Sequence, residues 1–230
     1  MKQHQLQQLH VISTGRQPLH SFCKIAGQIA PYVTAFHLRE RSVTALELLR
    51  ACEQLVSEGV SPRSIIINDR ADVAVAAGVK GVQLAWHSMP VDAVKRSFPR
   101  LMIGKSVHSC EEARQAEQAG SDYVIFGHVF ATASKATAPP RGIEALRQTA
   151  SSVQIPVIAI GGILPKHVSA IAHAGAAGIA VMSGILEAGD SLAAVKAYAA
   201  AMQSASEQAA ERDPNEQAAE CDANEQDTVF

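Results

Sequence analysis

The chain has 230 residues, 47% hydrophobic and only 4% aromatic, which excludes global disorder and calls for an aliphatic core. Its net charge of −2, from 20 Lys and Arg against 22 Asp and Glu, argues against a nucleic-acid binder. No run reaches the roughly 18 apolar residues of a membrane span, and the polar start lacks a signal-peptide core. The cysteines Cys23, Cys52, Cys110 and Cys221 fall in no zinc or redox spacing, so a cytoplasmic protein with reduced thiols is expected.

Strands are predicted over residues 9–12, 33–39, 64–68, 81–84, 101–106, 123–127, 156–160 and 178–182. Several are unbroken apolar runs, such as Ile65-Ile66-Ile67, as strands covered on both faces require. Amphipathic helical patterns lie between them. Residues 44–57 carry Ala45, Leu48, Leu49, Cys52 and Leu55 on one stripe. Ser109 and Glu112 read as N-cap and capping-box partner of a later helix, and Pro165 sits where a first helical turn accepts proline. Alternation of this kind in about 200 residues predicts a parallel α/β fold, a short (β/α)8 TIM barrel. An open dinucleotide-binding sheet is disfavoured, because no G-x-G-x-x-G follows the first strand. Residues 204–230 repeat a polar, acidic motif with almost no large apolar side chains, so a disordered tail is expected after a single domain over 1–203. That tail holds eight acidic residues and one basic, leaving 19 basic against 14 acidic residues in the domain. The near-neutral average therefore covers a mildly basic barrel, suited to a small anionic ligand.

In such barrels the active site forms at the C-terminal strand ends. Those ends carry His37, Arg39 and Arg41, then Asn68 and Asp69, then Lys105, Ser106 and His108, then His128 and a loop with Thr132, Ser134 and Lys135. Arg39 and Arg41 alternate with Glu40, so one of them can face the cavity and clamp a carboxylate or phosphate. Gly161-Gly162 and Ser183-Gly184 follow the last two strands, where backbone amides recurrently hold phosphate. An imidazole gives and takes a proton near neutral pH. His128, with glycine before it at a strand end, is thus either a catalytic or a buried structural residue.

The ordered set His37-Leu38-Arg39-Glu40-Arg41, Asn68-Asp69-Arg70, Gly81-Val82-Gln83-Leu84, Gly104-Lys105-Ser106-Val107-His108, Phe126-Gly127-His128-Val129-Phe130, Ala159-Ile160-Gly161-Gly162 and Val181-Met182-Ser183-Gly184 resembles the thiamine phosphate synthase/TenI family. The resemblance covers about residues 9–200. It implies a (β/α)8 barrel that acts in thiamine biosynthesis on a small phosphorylated thiazole. Synthases of the family read Gln-x-Arg-x-Lys where His37, Arg39 and Arg41 stand here. They pair the aspartate matched by Asp69 with a second one, where this chain has Ser88, to hold the magnesium of a pyrophosphate substrate. They also read Gly-Pro where this chain has Gly127-His128.

Those departures place the chain nearer the TenI branch. They imply a thiazole tautomerase that moves a proton through His128 and needs no metal or cofactor. His37, Arg39, Arg41, Asn68, Ser106, His108 and Lys135 would bind the substrate, and Gly161, Gly162, Ser183 and Gly184 its phosphate. The alternatives are a magnesium-dependent thiamine phosphate synthase and a non-catalytic thiamine-phosphate-binding regulator. No nucleic-acid or membrane partner is expected, and a homo-oligomer stays open.

Overall fold

Short β-branched runs favour strands, and a helical crossover between successive runs lets the strands lie parallel. In the computed structural model, which describes residues 6–132 and 138–224, eight parallel strands close into one barrel in sequence order. They are β1 (Gln8–Ile12), β2 (Ala35–Leu38), β3 (Ile65–Asn68), β4 (Gly81–Leu84), β5 (Met102–Val107), β6 (Tyr123–Gly127), β7 (Val157–Ile160) and β8 (Gly178–Val181). The last strand pairs with the first, His10 lying opposite Ala180, so the described barrel has no open edge. The TIM-barrel expectation holds.

The connecting helices are α1 (Leu19–Ile29), α2 (Ala45–Ser57), α3 (Ala71–Ala76), α4 (Val91–Ser97), α5 (Cys110–Gln118), α6 (Gly142–Ser151), α7 (Val168–His173), α8 (Ser183–Leu186) and α9 (Ser191–Asn224). Helix α2 starts at a capping box between Thr44 and Glu47, which contributes about 1 kcal/mol. At α5 the box is split. The Ser109 side chain accepts from Glu112 N–H, but Glu112 reaches back to His108 N–H and not to Ser109.

Alternation along the strands divides the apolar residues into two cores. Val11, Phe36, Ile67, Val82, Ile103, Val124, Ala159 and Ile179 face outward and pack with the helices. Ile12, Ala35, Ile66, Tyr123, Ile125, Ile158 and Ala180 fill the barrel interior. The same parity turns His37, Gln83 and Ser106 inward.

The expected domain end at residue 203 falls within a helix. Helix α9 runs across it, because Val195, Tyr198, Met202 and Ala205 recur at helical spacing and all four are buried. Beyond them the Ser206 hydroxyl donates to Leu6 C=O at 3.3 Å, so the packed domain reaches at least Ser206. The backbone is helical to Asn224. Residues 225–230 lie outside the described residues. Among the described residues, no helix is long and apolar enough to cross a membrane.

Candidate active site

Arg39 follows β2 and keeps its inward parity. Its position is fixed from β1: Ser13 N–H donates to His37 C=O at 2.9 Å, and Arg39 N–H donates to the Ser13 hydroxyl at 2.8 Å. The guanidinium is half-buried, and among the described ion pairs no carboxylate holds it. Burial, then the nearby Arg41, lowers its pKa, and Glu40 partly offsets them. A half-buried cation without an ion-pair partner is a ready anion clamp. Arg41 is exposed, because β2 ends at Leu38 and the chain has left the strand's alternation.

His37 lies below this mouth and does not line it. It is fully buried, and its Nε2 stands 3.0 Å from His10 Nδ1. His10 Nε2 in turn stands 3.2 Å from the Gln8 side-chain oxygen. The expected direct substrate contact by His37 is therefore corrected. Two residues deeper along the same inward-facing parity, a side chain lies in the packed interior.

Burial, followed by the charge of Lys80, pushes the His10 pKa down to about 3. Burial, His10 and Lys80 hold His37 well below the usual histidine value. Both rings are neutral in the folded protein, whereas a histidine of the unfolded chain titrates near pH 6.5. Below that pH the unfolded state binds more protons, so stability falls as pH drops toward 3. Urea unfolding should show the fold about 1–3 kcal/mol less stable at pH 5.5 than at pH 7.5. Equal stability at the two pH values would contradict a buried neutral pair.

Ser106 accepts a hydrogen bond from Gln83 Nε2–H at 3.0 Å. Asn68 is the half-buried last residue of β3. His108 Nδ1–H donates to Gly127 C=O at 2.7 Å, leaving Nε2 as the acceptor of the neutral ring. A cis peptide joins Gly127 to His128. His128 is buried, and its Nε2–H donates to Ala138 C=O at 3.2 Å, beneath the loop between β6 and α6. That loop carries Ser134 and Lys135, which lie outside the described residues.

The glycines after β7 seat this loop. Gly161 and Gly162 take φ of +102° and +62°. A Cβ on Gly161 would stand 2.2 Å from the His128 Cβ, and one on Gly162 2.2 Å from Ala131 C=O. Phe130 N–H donates to Gly161 C=O at 3.0 Å, and the Phe130 ring stacks on His167 at 4.0 Å. Tyr198 ties in the last two strand ends: its hydroxyl donates to Ile163 C=O at 2.8 Å and sits where a Gly184 side chain would go. Ser183 and Gly184 open α8, and the first amides of a helix have no intrahelical partner.

The residues implied for magnesium do not reproduce the family's pair. Asp69 supplies one carboxylate. Ser88 is neutral, and its hydroxyl accepts from Ala85 N–H at 2.8 Å. The nearby Asp72 is paired with Arg70. Among the described residues, no group of three or more His, Cys, Asp or Glu side chains is placed to hold a metal ion.

The barrel and the ordered strand ends meet a family model described as thiamine monophosphate synthase, which matches residues 9–185. The chain belongs to the thiamine monophosphate synthase family. Within it, a thiamine-phosphate synthase of Anaeromyxobacter dehalogenans is 38% identical over 86% of this chain and 87% of its own length. One of Chlorobium luteolum is 42% identical over 66% of this chain and 73% of its own. A solved thiamine phosphate pyrophosphorylase from Pyrococcus furiosus superposes with a TM-score of 0.75 at 32% identity, over 86% of this chain and 96% of its own. These relatives overturn the tautomerase expectation. A few strand-end departures, at His37, Ser88 and His128, weigh less than similarity along the whole barrel to proteins named synthase. The family is one of enzymes, but the isomerase assignment does not stand.

Missing from the expected site residues were Ser13, Gln83 and Tyr198. Each acts through a contact distant in sequence, and only the inward parity of Gln83 gave a local signal.

Proposed function

We propose that this family member is a cytoplasmic thiamine-phosphate synthase, a transferase that joins a pyrimidine pyrophosphate to a thiazole phosphate and releases pyrophosphate. The observation that carries the reading is the half-buried Arg39 guanidinium, without an ion-pair partner among those described, on the same barrel mouth as Asn68 and Ser106. The names of relatives matched over most of the chain support it.

In this reading Arg39 and Ser106 hold the anionic end of one substrate, with Asn68, His108 and Arg41 around it. The amides of Gly161, Gly162, Ser183 and Gly184 hold the phosphate of the other. The thiazole nitrogen attacks the pyrimidine methylene carbon as its bond to the pyrophosphate oxygen breaks. His128 is the catalytic candidate, its ring held beside the mouth by the Nε2–H bond to Ala138 C=O.

Mg2+ is usually held by one or two carboxylates together with substrate phosphates, and this chain keeps one of the family's pair. Ser88→Asp is expected to lower the Mg2+ concentration for half-maximal turnover, by roughly 10–100-fold. A Mg2+ titration of product formation in both proteins checks this, and an unchanged midpoint would contradict it. The neutral Ser88 also favours a second reading, a thiamine-phosphate-binding protein without transferase activity. That reading predicts binding without turnover in the same assay.

A further inference from the structure

Gln83 is an expensive residue for its place. It projects from β4 into the barrel and is 2% exposed, on the same side as Ile66, Ile125 and Ile158. Burying an amide there without full hydrogen bonding costs free energy that a leucine or methionine would not incur. Its oxygen Oε1 has no hydrogen-bond partner among the described residues, and neither does the buried Tyr123 hydroxyl. Both atoms converge over Gly104, the residue of β5 opposite Gln83. A Cβ on Gly104 would stand 2.2 Å from Gln83 Oε1 and 2.4 Å from the Tyr123 hydroxyl. The missing side chain at Gly104 thus makes room for the amide, and the Tyr123 ring walls it in.

What the amide does from there is bond Ser106, its Nε2–H donating to the Ser106 oxygen at 3.0 Å. A hydroxyl that accepts on one side must turn its own hydrogen elsewhere.

We propose that Gln83 is a positioning residue that fixes the Ser106 hydroxyl as an outward donor to the anionic ligand, with Tyr123 and Gly104 holding the amide in place. The proposal rests on the reading that Ser106 touches that ligand. It explains why polar groups are kept in an interior that apolar side chains would fill more stably. Gln83 acts only through Ser106 and does not touch the ligand.

A double-mutant cycle tests it. Calorimetric titration with thiamine phosphate is run on the full chain and on Gln83→Met, Ser106→Ala and the double variant, with thermal unfolding of each. Gln83→Leu serves as a second apolar variant if Gln83→Met does not fold. The expected result is a loss of affinity of about five- to tenfold from Gln83→Met when Ser106 is present. In the Ser106→Ala background the same change should cost less than about twofold. The melting temperature should hold or rise, because an unpartnered buried oxygen is removed. An equal loss in both backgrounds would show that Gln83 shapes the barrel generally and would overturn the proposal. So would an unchanged affinity in Gln83→Met when Ser106→Ala weakens binding. If Ser106→Ala itself leaves affinity unchanged, the ligand contact at Ser106 fails, and the proposal fails with it.

Discussion

Replacing Arg39 with methionine is expected to weaken thiamine phosphate binding about a hundredfold while leaving the barrel at least as stable. The affinity loss follows from removing a charge-assisted and potentially bidentate contact in a half-buried site, worth roughly 1.5–3 kcal/mol. The stability expectation follows from the same burial. Desolvation and the neighbouring Arg41 disfavour the charged guanidinium in the folded state, and no ion pair among those described repays that cost. Methionine keeps the aliphatic stem and removes the charge. Calorimetric titration and urea unfolding of the two proteins check both parts. Arg41→Met is the control: its side chain is exposed, so a loss of less than about tenfold is expected. Equal losses at the two arginines would mean that general electrostatic attraction, and not a built clamp, holds the ligand.

Gly161→Ala is expected to be the most damaging single change to the fold near the site. The residue has φ +102°, a backbone conformation unfavourable for alanine, and the added methyl would press on the Cα and Cβ of His128 at 2.7 and 2.2 Å. Neither contact is the tip of a flexible chain, so the segment from His128 to Phe130 must move away. Strain and overlap together should cost about 2–4 kcal/mol. The displacement also carries His128 away from Ala138, so turnover should fall further than stability alone explains. Denaturant midpoints and product formation at a temperature where both proteins stay folded separate the two effects. A stable, fully active Gly161→Ala protein would contradict the packing described here.

Much of the architecture was legible because barrel strands announce themselves locally. Ile65-Ile66-Ile67 and Val157-Ile158-Ala159-Ile160 leave few alternatives to strands covered on both faces, and β3 and β7 form there. The end of the domain was less legible. Composition changes at the acidic repeat, but Ala205 continues the α9 stripe past that change, and one buried alanine inside a polar segment carries almost no compositional signal.

At the site, the fold rule that active residues cluster at strand ends brought Arg39, Asn68, Ser106 and His128 forward together. It did not settle depth. His37 and Arg39 share a parity and differ by two residues, which is enough to put one in the packed interior and the other at the mouth. Nor does a sequence show that His10 lies against His37, or that Gln83 reaches Ser106, since those contacts form only when the barrel closes. Locally, Ser88 and His128 point to a different chemistry, whereas relatives matched along most of the chain are named for the synthase.

The most direct test is a single assay of the purified protein with pyrimidine pyrophosphate and thiazole phosphate across a Mg2+ titration, following thiamine phosphate and released pyrophosphate. A synthase predicts equal amounts of the two products, an optimum at high Mg2+, and loss of turnover in Arg39→Met and in His128→Ala. Absence of both products at saturating Mg2+, in a protein that still binds thiamine phosphate, would contradict the transferase reading and leave a binding protein.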